Sequence, residues 1–421
     1  MSEIHSPAAV APTFPGGRLD GLDALRGIAM LSGLLLHAAV AYMPTRMPHL
    51  LWPVFDDQTS ILCDVVFWGL HAFRLPTFFF LSGFFAEYMY QSRGPQKFLE
   101  HRIKRLIIPY AASVTTILPL TLGIWLLGWF TIGRCSIDPT AFPFVSLDSD
   151  LQANFFNPGH LWFLYDLIVM SVSFWYLRQE WPSHQRASQS QFDWLAGPVL
   201  TPAFLAMPAS MILWASPAPV TEFNNSFLPD AGRLVYFSIF FTVGVVAFRR
   251  REEFFQALRL PGIHLAISMA CVAGMFLFLK GEINGTGNLL TRLCFSWCVG
   301  LSAWFFIFGA MGVVVRCGQF NAPSLRFLAD SSYWMYLIHL PLVGLTHIAL
   351  REMPLPPEAK MLLTFAIAVA VGLGSYAVFV RYTFIGTCLH GHRRRAAEVT
   401  SSSDDESKAA AIPVTQHRTA A

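Results

Sequence analysis

The strongest constraint on this fold is a series of apolar runs long enough to cross a lipid bilayer. One helical crossing needs about 20 mainly apolar residues, and runs of this kind recur along the whole chain. They occupy the stretches 22–43, 62–90, 104–130, 160–178, 195–214, 233–248, 261–280, 289–315, 327–350 and 361–386. The sequence therefore predicts an all-α, polytopic integral membrane protein with about ten transmembrane helices.

The composition agrees with a protein embedded in a lipid bilayer. Only 13% of the 421 residues are charged and 54% are hydrophobic, whereas soluble domains have roughly 25% charged residues. The net charge of +3 is small and dispersed, so we expect no nucleic-acid partner. The seven cysteines form no close CxxC pair, and we expect neither a disulfide framework nor a metal site.

Three regions of the chain differ in composition. Residues 1–17 are polar and rich in Pro and Ala, without the features of a cleavable signal, and are predicted to be a disordered tail. Residues 18–390 form one membrane domain without an obvious internal repeat. Residues 391–421 are predicted to be a second disordered tail, on the cytoplasmic side.

Basic residues are concentrated in alternate connections between the apolar runs. Cytoplasmic loops of membrane proteins carry an excess of Lys and Arg. We therefore predict that the even-numbered loops and both termini are cytoplasmic, and that the loops 44–60, 131–158, 215–232, 281–288 and 351–360 face the outer side. The basic residues that set this orientation are Arg93, Lys97, Arg102, Lys104, Arg105, Arg178, Arg186, Arg249, Arg250, Arg251, Arg259, Arg316, Arg326, Arg393, Arg394 and Arg395.

The first apolar run carries an arginine, Arg26, and a histidine, His37, separated by eleven positions. Eleven residues of α-helix rise about 16 Å and complete almost three turns, so both side chains project from one face. On this face Ala29, Met30 and Gly33 leave a shallow groove between the two polar groups. An ionisable group in hydrocarbon costs several kcal/mol unless it has a partner or faces water.

His37 is the candidate general base or acyl-accepting group, because imidazole exchanges a proton near neutral pH. The alternative is a core histidine that bonds to a neighbouring helix. Arg26 is the candidate catalytic partner at the cytoplasmic end of the helix. Its alternative role is a surface pair with Asp23, three residues earlier.

The second helix places four side chains on one face: His71, Arg74, Phe78 and Ser82. Arg74 lies too deep in the bilayer to extend easily to its surface. It is predicted to line a site, where its planar fork suits a phosphate, a carboxylate or a developing oxyanion. Structural pairing with Asp64 is the alternative. His71 is a candidate substrate-binding residue on the same face.

Further polar groups fall near the outer side of the fourth and ninth helices. His160 and Asp166 are candidates for binding a substrate on that side, or alternatively for pairing helices. Trp162 is predicted to belong to the aromatic belt at the membrane surface. Tyr336 and His339 share a face in mid-membrane, and His339 has either a substrate-binding or a structural role.

Arg102 and Arg105 lie one helical turn apart at the cytoplasmic start of the third helix. Such a pair can clamp phosphate groups. It can equally be an ordinary anchor of the kind that sets membrane topology.

Several of these segments resemble one membrane protein family. The Asp23–Gly27 segment, with Arg26 followed by ten residues and His37, resembles the signature of the acyltransferase family 3 membrane proteins. Arg102-Ile-Lys-Arg105 is similar to that family's RxxR motif, and the segment SYWMYLIHLP is similar to its late helix. The segments HAFRLPTFFFLSGFF and GHLWFL are similar to the branch of periplasmic-glucan succinyltransferases. HLWFLYDL stands where many relatives have a tryptophan-and-glutamate segment.

The resemblance implies a multi-pass enzyme of the bacterial inner membrane with three partners: the lipid bilayer, a cytoplasmic acyl-coenzyme A donor (succinyl- or acetyl-coenzyme A), and a carbohydrate acceptor outside, such as a periplasmic glucan. Our hypothesis is that Arg102 and Arg105 hold the nucleotide phosphates and that His37 acts at the thioester, with Arg74 near the oxyanion or a distal carboxylate. The competing hypothesis is a secondary transporter or channel that uses buried Arg, His and Asp. A structural membrane component is a third.

Overall fold

The computed structural model describes residues 20–138, 145–153, 157–180, 197–216, 227–317 and 323–390. The two predicted tails, 1–17 and 391–421, lie outside these residues. In this part of the chain the structure is almost entirely helical, which confirms the predicted all-α class. The helices are α1 (Asp20–Ala39), α2 (Ile61–Arg102), α3 (Ile108–Thr115), α4 (Ile117–Thr131), α5 (Ser149–Ala153), α6 (Trp162–Glu180), α7 (Leu200–Ala215), α8 (Ala231–Arg249), α9 (Arg251–Ala257), α10 (Pro261–Ile283), α11 (Leu289–Cys317), α12 (Pro323–Leu350), α13 (Pro357–Ser375) and α14 (Phe384–His390).

Eight helical stretches among the described residues are long and apolar enough to cross a membrane. One of them, Ile61–Thr131, has 71 residues, whereas the bilayer core is only about 30 Å thick and is crossed by about 20 residues. It is interrupted at Gly94, where φ is 80°, and again by a π-helix at Ile103–Ile107. It therefore contains two of the predicted apolar runs, and the shorter α7 corresponds to the fifth.

Helices α2 and α8 approach each other at two glycines. A Cβ atom at Gly83 would overlap the backbone of Phe241, and one at Gly244 would overlap the carbonyl of Phe80. Small residues allow such close approach of membrane helices, which maximises van der Waals packing. This face of α2 is thus held against α8, while its opposite face is available to build a site.

Buried ion pairs join helices that are distant in sequence. The fully buried carboxylate of Glu87 accepts hydrogen bonds from Arg178 and Arg249, with ion-pair distances of 3.1 and 2.9 Å, and so links α2, α6 and α8. Lys360 at the start of α13 pairs with Asp56 at 2.6 Å. Each pair offsets the desolvation of its two charges, which costs several kcal/mol for an unpaired ion.

The connection at 44–60, predicted to be an outer loop, folds inward. Met47, Leu50 and Trp52 are only 4, 8 and 3% exposed. The indole nitrogens of Trp125 and Trp129 in α4 donate hydrogen bonds to the backbone carbonyls at positions 51 and 52, at 3.1 and 2.9 Å. The segment is therefore part of the core. A two-stranded hairpin, β1 (Cys135–Ile137) with β2 (Val145–Leu147), follows α4.

Candidate active site

A cavity lies between α1, α2, α12 and the start of α6. It encloses about 850 Å³ of empty space, including open solvent at its mouth. Its walls are mainly apolar, and the described residues that line it include no Asp or Glu. Five of the nine residues that the sequence singled out line this one space: His37, His71, Arg74, His160 and His339.

Three of the cavity histidines form a continuous row. The ring centroids of His37 and His339 are 5.1 Å apart, and those of His339 and His160 are also 5.1 Å apart. All three side chains are at most 7% exposed. The Nδ1 atom of His37 is buried and has no hydrogen-bond partner among the described residues. Within the described residues, Nδ1 therefore does not bond His37 to a neighbouring helix, as the alternative of a core histidine would require of that nitrogen.

The hydrogen bonds of the other two histidines define which ring nitrogen is free. His339 Nδ1 lies 2.6 Å from the Tyr336 carbonyl, and His160 Nε2 lies 3.1 Å from the Leu337 carbonyl. A carbonyl oxygen only accepts, so these nitrogens carry the hydrogen. In the neutral rings the remaining nitrogens, Nε2 of His339 and Nδ1 of His160, are acceptors.

Pro341 explains why His160 can bond to α12. Proline has no backbone N–H, so within a helix it leaves the carbonyl four residues earlier, here that of Leu337, without its usual donor. His160 supplies that donor. In return, the Tyr336 hydroxyl donates to the His160 carbonyl at 2.8 Å. The two bonds join the start of α6 to α12 beside Pro341.

Arg74 brings a positive charge to the cavity without a matching acid. Its guanidinium packs over Gly33, where a Cβ atom would overlap it, and its Nε atom is buried without a hydrogen-bond partner in the described chain. The alternative partner Asp64 instead accepts from the backbone N–H of Thr45 at 3.0 Å. The groove that the sequence placed between Arg26 and His37 is thus partly filled by Arg74.

Asp166 does not line the cavity. Its fully buried carboxylate pairs with Arg233 of α8, whose Nε and Nη2 lie 2.8 and 3.2 Å from the two carboxylate oxygens. The same guanidinium lies 4.4 Å from the ring of Trp162. Trp162 is itself 8% exposed and lines the cavity, so its prediction as a membrane-surface residue is wrong. Asp166 was a candidate either for binding a substrate or for pairing helices. In the structure it pairs α6 with α8.

Arg26 is also outside the cavity. Its side chain is 44% exposed and lies 3.2 Å from Asp23. It is within electrostatic range of Arg105, which donates a hydrogen bond to the Leu389 carbonyl of α14. The rise of α1 separates Arg26 from His37. Of the two residues of the signature, His37 therefore lines the cavity and Arg26 lies outside it.

Arg102 lies about one helical turn before Arg105. Its Nε and Nη2 atoms are buried and have no hydrogen-bond partner in the described part of the chain. Its guanidinium lies 4.9 Å from the Phe98 ring. Arg26 is near Arg105, and Arg102 precedes Arg105 by about one turn. We refer to these three arginines, on the predicted cytoplasmic side, as the basic group.

Two further residues adjoin the site without any signal in the sequence: Trp52 and His347. The rings of Trp52 and His37 are nearly parallel, 6° apart, with centroids separated by 6.0 Å. The indole nitrogen of Trp52 donates to His347 Nδ1 at 2.9 Å. Trp52 follows no helical periodicity, and His347 falls two turns beyond His339, so no pattern in the sequence joins them.

The fold and the cavity define a polytopic membrane protein whose interior combines a row of imidazoles with a guanidinium that pairs with no carboxylate among the described residues. The chain belongs to the acyltransferase family, whose model, described as an acyltransferase domain, matches residues 19–380. It is therefore a membrane enzyme that transfers acyl groups.

The chain is similar to Glucans biosynthesis protein C of Escherichia coli. Identity to the protein of strain SMS-3-5 is 24% over 345 residues, which covers 78% of this chain and 83% of that relative. The protein of strain K12 is 23% identical over the same shares of the two chains. No solved structure was found to match the chain.

Proposed function

We propose that this protein is an O-acyltransferase of the bacterial inner membrane. It takes a succinyl or acetyl group from cytoplasmic acyl-coenzyme A and transfers it to a hydroxyl of a carbohydrate on the outer side, such as a periplasmic glucan. The name of the relatives, Glucans biosynthesis protein C, supports a glucan as acceptor. The observation that carries the proposal is the cavity in which His37, His339 and Arg74 meet.

His37 is the reactive group in this proposal. As a general base it takes the proton of the sugar hydroxyl while that oxygen attacks the thioester carbonyl. The proton then passes to the departing coenzyme A thiolate. In the covalent alternative, an imidazole nitrogen of His37 attacks the thioester carbon and coenzyme A leaves as its thiolate. The sugar oxygen then takes the acyl group from the imidazole, and the proton of the sugar hydroxyl passes to the thiolate. The unpartnered Nδ1 of His37 supports either role.

Arg74 supplies the positive charge. A guanidinium in an apolar cavity stabilises an anion strongly, because little water competes for it. The anion is either the oxyanion that forms at the thioester carbon or the distal carboxylate of a succinyl group. The absence of any acid from the cavity lining supports an anionic ligand.

Arg102 and Arg105, together with Arg26, hold the phosphates of the donor. The buried, unpartnered nitrogens of Arg102 support this role, because arginine forms paired hydrogen bonds to phosphate. Met30 and Gly33 line the cavity on the α1 face that leads from Arg26. The pantetheine arm lies along this face and brings the thioester to His37.

Mass spectrometry of envelope glycans tests the proposal. Cells with the gene should contain glycans that carry an ester-linked acyl group, and cells without the gene should lose that mass increment. The size of the increment distinguishes succinyl from acetyl. Identical glycan masses in the two strains would contradict the proposal.

Coenzyme A binding separates this enzyme from the transporter hypothesis. Acyl-coenzyme A should raise the temperature at which the purified protein unfolds, in a saturable way, because a ligand that binds only the folded state stabilises it. Protection by free sugars or amino acids alone would favour transport.

A further inference from the structure

The helix that carries His37 ends two residues later, and its final carbonyls are bonded from outside the helix. The last carbonyls of any helix lack partners within it. Here His347 Nε2 lies 3.1 Å from the Ala38 carbonyl. A 3-10 turn, Val40–Tyr42, continues the chain from α1, and the backbone N–H groups of Asp56 and Ser60 donate to its carbonyls at positions 41 and 42, at 3.0 and 2.9 Å. The inward segment 44–60 is thus docked on the end of α1.

Trp52 lies at the centre of this docked segment. Its indole N–H donates to His347 Nδ1, so the other nitrogen of that ring carries the hydrogen and donates to the Ala38 carbonyl. These two bonds form a chain from the indole to the residue after His37. Trp52 is 3% exposed, and its plane lies almost parallel to the His37 ring.

Trp52 contacts the reactive imidazole without reaching the ligand space. It does not line the cavity, whereas His37 does. A flat, buried ring beside an imidazole restricts rotation of that imidazole about its side-chain bonds. The orientation of a catalytic group is important, since a misplacement of about 1 Å can cost roughly 10²-fold in rate.

We propose that Trp52 is a positioning residue for the acyl-transfer reaction: it holds the imidazole of His37 toward the thioester, and His347 in turn holds Trp52. This inference rests on the proposed function. The inward segment 44–60 is then part of the catalytic apparatus as well as part of the core. Because Trp52 touches the base and not the donor, it acts on kcat and leaves the KM for acyl-coenzyme A unchanged.

Steady-state kinetics of purified variants test this inference. Trp52→Leu should lower kcat per folded molecule by about ten-fold or more, with the KM for acyl-coenzyme A within about two-fold of the wild-type value. Trp52→Phe, which retains a flat ring, should recover much of this loss. His347→Gln can still accept from Trp52 and donate to Ala38, and should be more active than His347→Phe.

Trp129→Phe is the matched control. It removes a hydrogen bond to the carbonyl of Trp52 but leaves the indole beside His37. We expect it to reduce thermal stability while kcat per folded molecule stays near the wild-type value. If Trp52→Leu is too unstable to purify, His347→Phe against His347→Gln provides the same comparison.

Each outcome has a distinct meaning. Suppose first that the wild-type protein transfers acyl groups from acyl-coenzyme A. Equal losses of kcat in Trp52→Leu and Trp129→Phe would then overturn the positioning role alone, and so would full activity of Trp52→Leu. No transfer by the wild-type protein would overturn the proposed function, and this inference with it.

Discussion

The imidazoles of His37 and His339 face each other across the cavity with ring centroids 5.1 Å apart. They come from the first and the twelfth helix, which pack side by side. His339 donates through Nδ1 to the Tyr336 carbonyl, so its Nε2 is free to accept a proton or a hydrogen bond. This arrangement gives His37 a neighbouring proton acceptor without a carboxylate.

Substitutions at His339 separate a chemical role from a structural one. Asn places an amide N–H where Nδ1 lies and keeps the bond to Tyr336, but it has no counterpart of Nε2. We expect His339→Asn to fold normally and to lose about 10²-fold in kcat, as for other groups that take part in proton transfer. The measurement is acyl transfer per folded molecule. Near-normal turnover of His339→Asn would show that His339 has only a structural role in α12 and no role in proton transfer.

Arg74 allows the two candidate anions to be distinguished. If its guanidinium binds the distal carboxylate, Arg74→Gln should reduce succinyl transfer by at least about ten-fold more than acetyl transfer, because only succinyl loses a charged hydrogen bond. The measurement is the ratio of kcat/KM for succinyl- and acetyl-coenzyme A. Equal losses with both donors would assign Arg74 to the oxyanion, and no loss with either would exclude both roles.

The basic group is expected to control donor affinity. Arg102→Ala combined with Arg105→Ala should raise the Kd for coenzyme A by at least about ten-fold, because each substitution removes charged hydrogen bonds to phosphate. Arg26→Ala should raise the KM for the donor more than it lowers kcat, since Arg26 lies outside the cavity.

Lys104→Ala is the control for this measurement. Lys104 has the same charge and lies between the two arginines in sequence, but it is 62% exposed and pairs with Glu100. Its loss should leave the Kd for coenzyme A nearly unchanged. If Lys104→Ala weakens binding as much as the double variant does, the effect comes from general surface charge and the proposed clamp is wrong.

The Asp166–Arg233 pair is expected to stabilise the fold and not to take part in the reaction. Asp166→Ala leaves Arg233 buried without a counter-charge and should cost about 3–5 kcal/mol in the free energy of unfolding. Replacing both residues, as Asp166→Leu with Arg233→Met, should recover much of that loss. Unfolding in detergent measures both effects. If the Asp166→Ala protein is stable but inactive, Asp166 takes part in the reaction and this prediction is wrong.

The apolar pattern of the sequence and the energetic cost of burying charge explain what could be predicted. Apolar runs of bilayer length predicted the helices, and the expense of charge in hydrocarbon singled out His37 and Arg74. Helical periodicity predicts which side chains project from the same face of a helix, but it does not predict which other helix that face contacts. The sequence therefore left His160 and His339 with two alternatives each, and the structure brings both to the same cavity as His37.

The missed features all depend on contacts between distant segments. Arg233 was not recognised as the partner of Asp166, because nothing local relates positions 67 residues apart. Trp162 was predicted to belong to the aromatic belt, and Trp52 falls in a loop that was predicted to face the outer side. Instead, Trp162 packs beside Arg233, and Trp129 of α4 donates a hydrogen bond to the carbonyl of Trp52. Neither contact has a signature in the neighbouring sequence.

Acyl transfer by His37→Ala in membranes tests the central claim most directly. The matched control is His264→Ala, which also replaces a buried histidine, one that bonds to the Pro198 carbonyl and does not line the cavity. With equal amounts of folded protein, we predict that His264→Ala transfers a labelled acyl group from acyl-coenzyme A to glucan like the wild type. His37→Ala should lose at least about 10²-fold. Near-normal turnover by His37→Ala would contradict the catalytic role of His37.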